Sequence, residues 1–112
     1  MEDWEKKIIG NVLNDNTKGS KYNFGFVLND KEVVDVGRNL KLPKREIMDI
    51  EWATTCITNQ AQAMLMDIVL ARKNYFQFIS ALHASGLKTF AQKLKGTRMV
   101  MIEKIQLKLS VV

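Results

Sequence analysis

Cysteine, proline and histidine each occur once in this 112-residue chain, at Cys56, Pro43 and His83. A lone cysteine cannot close an internal disulfide, and beside six methionines it fits a reducing compartment, so the cytoplasm is the expected location. With one proline there are few forced breaks, and the chain can fold as a single helical unit. The same scarcity bears on chemistry. Cys56 has no histidine or second cysteine near it in sequence, so a metal site lacks ligands and a nucleophile lacks its base. His83 falls one helical turn after Ile79 and reads as an exposed or hydrogen-bonded helix residue. Gly-rich phosphate loops, paired catalytic carboxylates and nucleophile motifs are all missing from the sequence. An enzyme is the least expected class, and no cofactor is expected.

Long apolar runs are also missing. No stretch approaches the roughly 20 residues that a spanning helix requires. The opening MEDWEKKIIG begins with acidic residues instead of the basic and then apolar order of a signal peptide. A membrane is therefore not among the expected partners.

What the chain does have is 46% hydrophobic residues, enough for one core in one domain over residues 1–112 without help from metal or disulfides. Its net charge of +5 and pI near 9.4 would attract acidic proteins, RNA or a membrane surface. The 12 acidic residues are interspersed among the 17 basic ones, however, which favours no single anionic partner.

Helical periodicity organises most of the chain. Trp4, Ile8, Ile9, Val12 and Leu13 recur as one face of a first helix. Asn14–Gly25, rich in Asn, Gly, Ser and Lys, reads as a loop. Asn29 with Glu32 three residues on forms a capping box for a second helix carrying Val33, Val36, Gly37 and Leu40. Pro43 suits the first turn of a third, with Ile47 and Ile50 on one face. Ala61, Met64, Leu65, Ile68 and Val69 mark a fourth helix ending near Arg72 or Lys73. Asn74 caps a fifth that carries Tyr75, Phe78, Ile79 and Leu82 and stops at Gly86. Leu87, Phe90, Ala91 and Leu94 give a short sixth helix closed by Gly96. The tail over 97–112 fits either period, and a helical extension is favoured because a lone strand would leave its backbone unpaired. The expected core, within about 3–96, is Ile8, Val12, Leu40, Ile47, Ile50, Leu65, Ile68, Ile79, Leu82, Phe90 and Leu94. Trp4 and Trp52 are expected as core or partly buried anchors, and Met64, Met66, Met99 and Met101 as gap fillers.

Two segments carry a family resemblance. VGRNLKLPKREIMDIE resembles the death-domain pattern of Arg-x-Leu at the end of the second helix, Leu at a turn, then two isoleucines three apart: Arg38, Leu40, Leu42, Ile47 and Ile50. YFQFISALHASGLKTFAQKL is similar to the fifth and sixth helices of death domains and caspase-recruitment domains, through Phe78, Ile79, Ala81, Leu82, Gly86, Ala91 and Leu94. With six short helices and a brief second-to-third link, the chain looks like a member of the death-fold superfamily, the death domain first and the caspase-recruitment domain next. The match covers about Val33 to Leu94. It implies an all-α, six-helix antiparallel death-fold bundle with a C-terminal helical extension.

The resemblance also implies a function: a non-enzymatic adaptor of apoptotic or innate-immune signalling that binds other death-fold domains through oppositely charged faces. Arg38, Lys41, Lys44 and Arg45 would form the basic face at the second and third helices. Glu2, Asp3 and Glu5 of the first helix and Asp67 of the fourth would form the acidic one. Such head-to-tail contacts need not close, so self-assembly is an expected consequence. The alternative is a helix-turn-helix-like nucleic-acid module over Leu28–Trp52, with Lys44, Arg45 and Trp52 on the recognition helix. Glu46, Asp49 and Glu51 on that helix would repel a phosphate backbone, which makes nucleic acid the lesser alternative.

Overall fold

The computed structural model describes residues 1–13, 28–55 and 60–110. Cys56 and the expected Asn14–Gly25 loop lie outside them, as does the side chain of Val12. The described residues form six helices and no strand: α1 (Asp3–Leu13), α2 (Asp30–Asn39), α3 (Lys44–Ala53), α4 (Gln60–Arg72), α5 (Tyr75–Ala84) and α6 (Lys88–Ser110).

Local chemistry sets most of the boundaries. Asn29 Oδ1 accepts from the Glu32 backbone N–H at 2.8 Å, and Glu32 returns the bond to the Asn29 N–H at 2.9 Å. Asn74 and Gln77 build the same capping box at the start of α5. Each box satisfies two backbone donors that a helix start otherwise leaves open. Pro43 stands one residue earlier than expected, as the N-cap of α3, with an extended ψ of 146° that a helical first-turn residue could not have.

The ends of α2 and α5 share one turn design. Leu42 N–H donates to the Gly37 carbonyl and Lys41 N–H to that of Arg38; likewise Leu87 N–H donates to Leu82 and Gly86 N–H to His83. This is the paired bonding of a Schellman turn, which needs a left-handed residue. Gly86 fills that place at φ 84°, and Lys41 fills it at φ 59°.

α5 sits at the centre, against α6 on one side and α2 on the other. Tyr75, Phe78, Ala81 and Leu82 are buried on it. α1 lies along α6, and α2 also packs on α3 and α4. Leu28, just before α2, is tied to α4 because its N–H donates to Gln62 Oε1 at 2.8 Å in a buried setting. Of the expected core, Ile8, Leu40, Ile50, Leu65, Leu82 and Leu94 are buried, while Ile47, Ile68, Ile79 and Phe90 are partly buried against it.

One boundary is corrected. α6 does not close at Gly96 but runs through it, as one helix of 23 residues. Gly96 lacks the positive φ of a C-cap, and a glycine in a helix interior costs only about 1 kcal/mol relative to alanine. Lys, Leu, Arg and Met on either side are good helix formers, so the extension and the sixth helix are a single element.

Candidate protein-docking surface

The four expected basic residues occupy one corner by chain contiguity: Arg38 in the last turn of α2, Lys41 in the turn, and Lys44 and Arg45 opening α3. All four are exposed. Their charges are not equivalent. Arg38 Nη2 donates to Glu51 Oε1 at 2.7 Å, and its Nη1 stands 4.0 Å from Asp35, so its charge is answered on the spot. Lys41, Lys44 and Arg45 make no ion pair among the described residues, and they supply the corner's unanswered positive charge.

Lys41 has a further peculiarity. A non-glycine residue in the left-handed region costs roughly 1–2 kcal/mol, and such strain concentrates at functional sites. The matching turn at the end of α5 avoids the cost with Gly86, which has nothing within 4 Å of where a Cβ would stand. At the end of α2 the strained position is held by an exposed lysine instead.

Alongside the cations lie two apolar side chains that sequence reasoning missed or misplaced. Trp52 was expected as an anchor in or near the core, yet it is 67% exposed. Met48, one turn before it, is 57% exposed. The signal was available in principle: with Ile50 and Ala53 turned into the core, positions 48 and 52 fall on the outer side of α3. Trp, Met and Arg are the residue types enriched in protein interfaces, where a large rigid side chain anchors and a charged rim orients. Beside Lys41, a shallow cleft of about 380 Å³ opens between α2 and α5, lined also by Asn39, Asn74, Phe76 and Gln77.

The residues of the expected acidic face have different settings. Glu2 and Asp3 are exposed at the start of α1, which packs mainly on α6, and Asp67 is exposed on α4. Glu5 is a correction, since it is buried. Arg98 Nε donates to Glu5 Oε2 at 2.8 Å, and the Glu2 N–H donates to Oε1 at 3.0 Å. Burial pushes the Glu5 carboxyl up, but these hydrogen bonds and the charges of Arg98 and the N-terminal amine outweigh it and hold it below its ordinary value. The Arg98 guanidinium also lies over Trp4, Tyr75 and Phe76, 4.5 to 5.6 Å from their ring centres. Burial raises the Tyr75 hydroxyl to about 12, and it donates to the Leu94 carbonyl at 2.6 Å. Glu5 is thus committed to holding α1 on α6 through Arg98, which also lies on the α5 rings. Nothing in the sequence pointed to a partner 93 positions away.

The remaining candidates have simple settings. His83 is exposed on α5, beside a shallow groove shared with Lys95 and Gln92. Among the described residues no three His, Cys, Asp or Glu side chains are grouped to hold a metal ion. Compared with known proteins, the chain matches no family model, no curated protein and no solved structure.

Proposed function

We propose that this chain is a non-enzymatic adaptor domain of the death-fold kind, docking onto other death-fold domains in cell-death or innate-immune signalling. Six helices in a bundle, a brief α2–α3 connection and a glycine turn between α5 and α6 are in keeping with the resemblance of the two quoted segments. The observation that carries the docking mode is the α2–α3 corner. Three exposed cations, one on a left-handed backbone, lie at the start of a helix that carries exposed Met48 and Trp52 on the side away from the core.

The corner would meet an acidic surface that offers a pocket for Trp52. Lys41, Lys44 and Arg45 would steer the approach, because unpaired surface charges act mainly on association rate, and Trp52 would supply the anchor. Arg38, already paired with Glu51, would keep α2 and α3 in register more than it contacts the partner. Bringing two such domains together would place the effector enzymes attached to them close to one another.

The test is capture of binding proteins from cell extract, identified by mass spectrometry, with the wild type beside an Arg45→Glu, Trp52→Ala variant. Death-fold proteins recovered by the wild type and lost by the variant are the expected result. The same partners with both proteins, or none with a death fold, would overturn the proposal.

A further inference from the structure

From Ile68 to Ile102 the chain carries no acidic residue, although six basic residues fall there. Two of the six are answered from elsewhere, Arg72 by Glu46 and Arg98 by Glu5. This acid-free stretch contains all of α5 and the packed part of α6, and the two helices meet along an open groove of about 440 Å³. Its floor is small and apolar, made by Ile79, Ala84 and Ala91.

Around that floor stand Ser80, His83, Gln92 and Lys95, each of them exposed. None of these four side chains makes a hydrogen bond or ion pair among the described residues. Neighbouring polar side chains differ, since Asn74 and Gln77 close the cap of α5 and Asn39 donates to Ser85. The groove's own polar groups are uncommitted, and all four can donate a hydrogen bond. Lys95 is a permanent cation, and no acid lines the groove to answer it. Four donors around one apolar floor, with one positive charge among them, match a singly charged oxyanion.

We propose that the groove between α5 and α6 is a docking site that takes an acidic segment of a partner protein by one of its carboxylates. A phosphate group carries close to two charges and is bound by arginine clusters, whereas no arginine lines this groove. A nucleic-acid strand would need a file of cations and aromatic rings to stack on, and the lining holds one cation and no ring. A small-molecule site buries most of its ligand, but this groove is open, so the rest of a larger partner must cover it. A carboxylate on a protein surface meets each requirement. Ser80 also lines the cleft beside Lys41, so the groove continues the docking surface around α5. The inference needs neither Trp52 nor a death-fold partner.

The test is NMR of the full chain read at His83, which as the only histidine gives unique ring signals. The probes are short capped peptides of alternating glutamate and alanine, of glutamine and alanine, and of phosphoserine and alanine. The glutamate peptide should shift the His83 signals to saturation, and the glutamine peptide should leave them in place. Lys95→Glu should weaken that binding about tenfold or more, whereas Lys104→Glu, the same charge change at an exposed position outside the groove, should alter it less than about twofold. Circular dichroism should be unchanged in both variants, because both lysines are exposed. Trp52→Ala should bind the peptide like wild type, which separates the groove from the α2–α3 corner. A glutamate peptide that leaves His83 unmoved would overturn the proposal, as would equal losses from the two lysine changes, which would mean diffuse attraction. Tighter binding of the phosphoserine peptide would overturn the choice of a carboxylate. Signals that move with protein concentration alone would overturn it too, by showing that a second copy occupies the groove.

Discussion

The turn after α2 and the turn after α5 use the same hydrogen bonds and stand side by side, joined by Asn39 Nδ2 donating to Ser85 Oγ at 2.8 Å. Yet one places Lys41 in the left-handed position and the other Gly86. The α5–α6 turn is the lowest-strain solution, set over the buried Leu82 and leading to the buried Leu94. The α2–α3 turn accepts strain and carries exposed cations, Met48 and Trp52. When two neighbouring sites of equal geometry differ in this way, the strained one is the place to look for function.

The contrast can be tested first where the largest effect is expected. Leu82→Ala, at the fully buried base of the α5–α6 turn, should cost about 2–5 kcal/mol in denaturant unfolding. A cost under about 0.5 kcal/mol would mean that this corner is not the stabilising one.

Arginine pairs extend the comparison. Arg98–Glu5 and Arg38–Glu51 are nearly equal in length, at 2.8 and 2.7 Å, but the Arg98 side chain is 21% exposed and that of Arg38 is 58% exposed. Arg98→Gln should therefore cost about 3 kcal/mol, because it strands a buried carboxylate and removes a cation from three rings. Arg38→Gln should cost about 0–1 kcal/mol. The first pair also predicts a pH dependence. Glu5 has a lower pKa folded than unfolded, so its contribution is complete above the ordinary glutamate value of about 4.3 and is lost as pH falls through the folded value. That part of the acid unfolding slope should be missing in Arg98→Gln; an identical slope would show that Glu5 is not the group responsible.

Gly86→Ala should destabilise by about 1–2 kcal/mol through backbone strain alone, since no atom lies near the added Cβ. Lys41→Gly should do the opposite and raise stability by about 1 kcal/mol while weakening partner binding. If it lowers stability instead, Lys41 contributes to the fold and the comparison between the turns fails. The smallest expected effect on stability is Trp52→Ala, within about 0.5 kcal/mol in thermal melting, because the ring is largely outside the core.

How much of this was legible depended on distance along the chain. The capping boxes at Asn29 and Asn74, the C-cap at Gly86 and the apolar faces of α2, α4 and α5 were readable, because each rests on contacts three to five residues apart. The charge surplus of α6 was readable as well. Six basic residues stand against one acid on that helix, whereas the rest of the chain holds eleven of each sign. Gly96 misled for a different reason. A glycine ends a helix only when its φ turns positive, and composition does not reveal that.

Burial of particular side chains was out of reach. Trp4 and Trp52 are the same residue type on two amphipathic helices, yet one packs against the core beneath Arg98 and the other faces outward. By itself the sequence determined where helices begin, which faces are apolar and that one helix holds the net charge, since these follow from spacing and residue type. Only the tertiary structure decided that Glu5 is withdrawn to Arg98, that Trp52 stays outside the core and that the end of α6 is exposed. Those outcomes depend on which faces meet across long stretches of chain, and no local interaction encodes that.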